Sequence, residues 1–129
     1  MNEENKIISI GSIRDMIFTF RGLQVMINKD LAELYEVPTK RLNEQVKRNI
    51  NRFPNNFRFQ LTDNEKDELV ANCDRFKKLK HSSVNPYAFT EQGVAMLSAV
   101  LHSQIAVNIS IIEKIRQINM IASREQLAF

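Results

Sequence analysis

The sequence predicts an α+β domain: a small antiparallel sheet packed by helices, followed by a long C-terminal helix. Three observations predict it. Two β-prone runs flank Arg21-Gly22, Phe57 to Leu61 alternates apolar and polar, and several segments join a capping residue to apolar side chains at helical spacing. A chain of 129 residues, 43% hydrophobic and 26% charged, has the length and composition of one cored domain. With 3 Gly, 3 Pro and no Trp it is neither collagen-like nor low-complexity. The domain is expected over 1–103, with 1–13 frayed. A C-terminal helix over 104–129, used for packing or dimerisation, is expected to be cut short by the end of the chain. The single Cys73 permits no internal disulfide, and no cationic start leads into an apolar stretch with a cleavage site. No apolar run is long enough for a bilayer, so the expected location is the cytoplasm.

Each element follows from local chemistry. Met16–Phe20 and Leu23–Ile27 form a hairpin, in which Gly22 takes the positive φ of a tight turn. Asp30 and Glu33 have capping-box spacing, which predicts a short helix burying Leu31, Leu34 and Tyr35. That helix must end near Val37, because Pro38 keeps its predecessor out of the α region. Thr39 caps a second helix whose Leu42, Val46, Ile50 and Phe53 form one apolar stripe. Its opposite face carries Lys40, Arg41, Glu44, Lys47, Arg48 and Asn51.

Phe53-Pro54-Asn55-Asn56 turns the chain into a half-buried strand over 57–61. Thr62 and Glu65 repeat the capping box and open a helix to about Asn72. Residues 74–86 read as a basic polar loop, and Pro86 to Phe89 as a short strand. Thr90 caps a helix with Val94, Leu97 and Leu101 on one side, where Gly93 permits close backbone approach. His102-Ser103 marks a break. The last helix, about 104–122, carries Ile105, Ile109, Ile112, Ile115 and Ile118 in one row, a candidate homodimer seam or an inward-packing face.

The net charge of +3 is small, and its distribution says more. Residues 31–39 sum to −2, 40–58 to +5, 59–74 to −4 and 75–80 to +4. The positive charge therefore falls on the second helix, on the turn and strand after it, and on the 75–80 segment. Two short helices joined by Val37-Pro38, the second basic outside and apolar inside, have the layout of a helix-turn-helix or winged-helix-like unit. In such a unit the start of the second helix enters the major groove of duplex DNA. On that reading Lys40, Arg41 and Asn43 are the candidates for base edges. Lys47, Arg48, Arg52 and Arg58 are the candidates for phosphates, with Asn55 to Arg58 as a wing. The turn departs from the usual pattern by carrying Glu36 and no glycine. The same charged face also fits an ordinary solvated helix surface. The Arg75–Lys80 cluster is open in the same way, between a second phosphate contact and a charged loop.

Catalytic readings find little support. His81 and His102 are far apart, no Cys/His spacing suits zinc, and no glycine-rich loop is present to hold a nucleotide. Asp63, Glu65, Asp67 and Glu68 fan around a helix start, where acids suit the helix dipole. No enzyme activity, cofactor, metal or small-molecule substrate is expected.

Five stretches, in order, resemble the KilA-N-like DNA-binding domains of phages and prophages, in the branch named for the N-terminal domain of phage open reading frame six. They are Arg21 to Met26, Asp30 to Tyr35, Thr39 to Asn49, Arg52 to Phe59 and Tyr87 to Leu97, within a likeness that runs from about 14 to 120. The resemblance implies a compact α+β domain, sequence-directed binding of double-stranded DNA, and a role in transcriptional regulation near phage antirepressors. It also implies a further C-terminal region. The alternative is an antirepressor-type protein–protein interaction module, in which the isoleucine face and basic helix engage another regulator.

Overall fold

A computed structural model describes residues 13–101 and 115–118. Four short strands form one antiparallel sheet, β1 (Ile17–Phe20), β2 (Leu23–Ile27), β3 (Arg58–Gln60) and β4 (Tyr87–Phe89), in the order β1-β2-β4-β3. Helices α1 (Asn28–Leu34), α2 (Thr39–Arg48), α3 (Asp63–Asn72) and α4 (Glu91–Leu101) accompany it, and residues 115–118 are helical as well. The α+β expectation is met.

Side chains alternate across a strand, and here both sheet faces are covered. Met26 and Phe89 point to one side, into a core with Leu31, Leu34, Leu42, Val46, Phe53, Val94 and Leu97 from the α1, α2 and α4 side. Val25, Ile27, Phe59 and Ala88 point to the other, against Leu69 of α3 and Phe76. Ile115 is fully buried in the first core, so at least one residue of the isoleucine row packs inward. Ile105, Ile109, Ile112, the His102-Ser103 break and residues 1–12 lie outside the described residues.

The hairpin turn places both central residues at positive φ, +56° at Arg21 and +73° at Gly22, the two-residue geometry whose twist matches paired strands. Arginine is strained there. Its guanidinium is held by both carboxylate oxygens of Glu65 at 3.0 Å and stacks 4.1 Å above the Phe59 ring. Glu65 also accepts from the Thr62 backbone N–H while Thr62 accepts from that of Glu65, completing the expected capping box. One carboxylate thus starts α3 and fastens the hairpin tip to it. The Arg21 hydrogen bond, reinforced by those from Thr62, holds the Glu65 carboxyl below its ordinary range.

Four expectations shift. The first helix begins at Asn28 directly from β2, with Ile27 as cap and no side-chain cap bond, so Asp30 lies inside the first turn. Thr39 is the first residue of α2, and Pro38 occupies the cap position without a side-chain bond. Ile50 is 48% exposed, because α2 ends at Arg48 and a 3₁₀ turn over Ile50–Arg52 rotates it off the stripe. Asp74–His81 is a 3₁₀ helix rather than a loop. At three residues per turn Phe76 and Leu79 stack on one face, and Phe76 is fully buried.

The Glu36 departure is resolved by geometry. Glu36 stands at φ +56°, the position glycine usually holds after a helix. The Val37 N–H reaches the Ala32 carbonyl at 2.9 Å and the Glu36 N–H that of Glu33 at 3.1 Å, closing α1 with a Schellman motif. Gly93 meets the demand read from the sequence: a Cβ there would lie 1.9 Å from the Phe57 carbonyl oxygen, which accepts from the Thr90 N–H at 3.0 Å.

Gly93→Ala is expected to cost about 3 kcal/mol, the upper end for overpacking against rigid backbone, read as a lowered denaturant midpoint. Glu65→Gln tests the Arg21–Glu65 contact through pH. The depressed carboxyl contributes stability above its unfolded pKa, near 4.5, and loses it as pH falls through the lower folded value. The variant is expected to be less stable at pH 7, with the gap in thermal midpoint closing below about pH 4.5.

Candidate nucleic-acid interface

Leu42 and Val46 face the core at 0% and 2% exposure, which turns the other side of α2 to solvent. Lys40, Arg41, Glu44, Lys47 and Arg48 are all exposed there, with Arg52 beyond in the 3₁₀ turn. Elsewhere several cations are matched: Arg21 with Glu65, Arg75 with Asp30, Lys77 with Asp74 and Arg116 with Glu91. Among the described residues Lys40, Arg41, Lys47, Arg48 and Arg52 have no carboxylate partner. The first turn of α2 contains no acid, so Lys40 and Arg41 stand against the positive end of the helix dipole. The result is a dense positive face in which Glu44 is the one acid of the helix and none of the five cations is held in an ion pair among the described residues.

Asn43 sits between Lys40 and Lys47 at spacings of three and four, hence on their side of the helix. It is exposed, yet its Oδ1 accepts from the Nδ2 of Asn28 at 3.1 Å. Asn28, only 6% exposed, in turn accepts the Tyr87 backbone N–H at 3.3 Å. Sequence reasoning missed Asn28, since no local pattern marks a polar residue whose partners lie 15 and 59 positions away. Both asparagines line a hollow of about 310 Å³ with Thr39, Leu79, Asn85 and Tyr87.

The residues expected to form a wing lie in the turn before β3 and at its first position. Asn55 is exposed in the turn before β3. Arg58 in β3 is half-buried, with its guanidinium 4.0 Å above the Tyr87 ring and its Nε enclosed. That stacking fixes the side chain and leaves its terminal amino groups as the part able to meet a ligand.

The Arg75–Lys80 cluster divides. Arg75 turns inward: its Nε and Nη2 grip both oxygens of Asp30 at 3.1 and 2.8 Å, and its plane covers Phe18 and Phe76 at 5.5 and 4.8 Å. It also donates to the Asp15 carbonyl and the Cys73 sulfur. Hydrogen bonding to Asp30 raises the Arg75 pKa further, so it is a fixed charge at any working pH. Lys78 and Lys80 point outward without carboxylate partners, flanking Leu79 at the hollow.

Among the described residues no group of three or more His, Cys, Asp or Glu is placed to hold a metal ion, and no helix is long and apolar enough to cross a membrane. A family model, the ORF6N domain, matches residues 15–100, which spans β1 to β4 and α1 to α4 but for the last residue of α4. Comparison with curated proteins and with solved structures finds no match.

Asp30→Ala is expected to lower stability by about 2–3 kcal/mol, since it leaves a guanidinium packed on two aromatic rings without its acid. Arg75 keeps some solvent contact, which places the loss below that of a fully enclosed pair. Lys78→Ala/Lys80→Ala is expected to change it by no more than about 0.5 kcal/mol. Denaturant titration of the two variants checks both.

Proposed function

Because the chain belongs to the ORF6N domain family, we propose that it binds double-stranded DNA through α2, in transcriptional control of a phage or mobile element. The observation that carries this reading is the basic face of α2, five exposed cations outside any ion pair against the single Glu44, in a domain whose other arginines are largely paired or stacked. Exposed cations outside ion pairs are suited to a polyanion, because each phosphate contact releases condensed counterions. Lys40 and Arg41 crowd the N-terminal turn against the helix dipole, an arrangement that a bound phosphate or base edge relieves. The α1–α2 pair, with its short glycine-like turn at Glu36, gives the unit that presents a second helix to the major groove.

In this reading Lys40, Arg41 and Asn43 address base edges at the start of α2. Lys47, Arg48 and Arg52 follow the phosphate backbone along it. Asn55 and the pre-stacked Arg58 add contacts from the β3 side. Ile115 is taken up by the core, so a homodimer that pairs two such units on a two-fold site would have to form through Ile105, Ile109, Ile112 and Ile118.

Fluorescence anisotropy against random-sequence duplex DNA at several salt concentrations tests the proposal. Affinity is expected to fall steeply as salt rises. Lys47→Ala/Arg48→Ala is expected to weaken binding about equally on all sequences and to lower the salt slope by roughly two. Absence of binding at low salt would sink the proposal and transfer the basic face to a protein partner.

A further inference from the structure

We propose that Asn28 sets the polarity of Asn43 as a base reader, engaging its oxygen and presenting its amino group to DNA. The proposal rests on the duplex-binding reading of α2. An asparagine amide normally reads both ways, with an acceptor oxygen and a donor nitrogen that exchange places when the group rotates. Here the rotation is decided by a group that has no choice. The Tyr87 backbone N–H, 3.3 Å from Asn28, is a donor, so the atom of Asn28 facing it is Oδ1. The amino group of Asn28 is thereby turned toward Asn43 at 3.1 Å, and only the oxygen of Asn43 can receive it. What remains outward on Asn43 is its Nδ2.

The relay is built from rigid parts. Tyr87 belongs to β4, in the interior of the sheet, where it pairs with Gln60 of β3. Asn28 is 6% exposed at the start of α1, so its amide is enclosed and both of its described bonds are made within the protein. Only Asn43 reaches the surface, on the helix side shared with Lys40 and Lys47. A donor in that place favours a base edge rich in acceptors, such as guanine with its O6 and N7, and disfavours cytosine, whose groove edge offers an amino group.

Asn28→Asp is the isosteric reversal. The aspartate still accepts from the Tyr87 N–H with one oxygen, and its other oxygen now accepts where Asn28 donated. Asn43 must then rotate, turning Nδ2 inward and Oδ1 outward. The predicted consequence is a change of base choice caused by a residue that does not touch DNA.

The experiment selects preferred duplexes from a randomised pool with the full chain, its Asn43→Ala variant and its Asn28→Asp variant. Anisotropy titrations in salt and side-chain amide exchange by NMR accompany the selection. Asn43→Ala is expected to relax discrimination at one position of the site, on the order of tenfold. Asn28→Asp is expected to move the preference at that same position from guanine toward cytosine, with the salt slope unchanged. In the free protein the Asn28 amino protons are expected to exchange slowly and those of Asn43 quickly, with protection passing to Asn43 in Asn28→Asp. The inference is overturned if Asn28→Asp selects the same base as the unaltered chain, if Asn43→Ala changes no position, or if the Asn43 amino group is the protected one. Failure of the unaltered chain to bind any duplex removes the DNA reading itself, an outcome the exchange data separate from an error in the relay.

Discussion

A carboxylate withdrawn from water is costly unless a cation and hydrogen bonds replace the lost solvation. Asp30, 1% exposed in the first turn of α1, is the deepest acid among the described residues, and much of the domain is organised around satisfying it. Arg75 must reach it from 45 positions along the chain, which pins the 3₁₀ helix against the sheet. The same guanidinium covers Phe18 of β1 and Phe76, and bonds the Asp15 carbonyl ahead of the hairpin. One ion pair therefore joins the helix layer on one face of the sheet to the packing on the other. With α1 fixed, its Schellman turn at Glu36 directs α2, and the basic face takes its direction from there.

The second fastening works by the same logic at the opposite corner. Glu65 closes the capping box of α3 and holds Arg21, whose positive φ gives the hairpin its tight turn. Gly93 supplies a third, where bare backbone lets the Phe57 carbonyl lie on the start of α4. These three points immobilise the frame, while the cations of α2 are left outside any ion pair among the described residues. Stability and the candidate interface thus draw on different residues, and the acids Asp30 and Glu65 serve the frame.

What could be read from the sequence divides along the range of the interactions. The Thr62–Glu65 box, the Arg21-Gly22 hairpin and the inward Leu42–Val46 stripe rest on neighbours within a few positions, and each stands where local rules put it; the glycine in the first turn of α4 signalled a close approach, but its partner, the Phe57 carbonyl, lies far away in the chain. Asp30 fits a capping box equally well by spacing, but its carboxylate answers to an arginine that no local rule can see. Phe76 and Leu79 are the only apolar side chains from Asp74 to His81, too few to set a period, so a 3₁₀ segment reads as loop. Ile50 fits the stripe only if α2 continues, and the chain tightens before reaching it. On the candidate interface the exposed cations were legible as charge on one helix face. The Asn28 relay and the stacking of Arg58 on Tyr87 were not, since both depend on β4 lying beside residues from distant parts of the chain.

The strand order also governs how the chain can reach this arrangement. Because β4 lies between β2 and β3, no sequential zipping of neighbouring hairpins can complete the sheet. The β1–β2 hairpin closes over a two-residue loop, a microsecond event with little entropy to overcome. The β2–β4 pairing, Ile27 beside Ala88, must draw together ends separated by about sixty residues. Until that closure occurs, Met26 and Ile27 have no neighbour on their open edge, and Val25, Ile27 and Phe59 share no common core. Non-local pairing of this kind slows folding relative to helical domains of equal size. It also leaves the free edge of β2 as the surface most open to wrong pairing with another nascent chain.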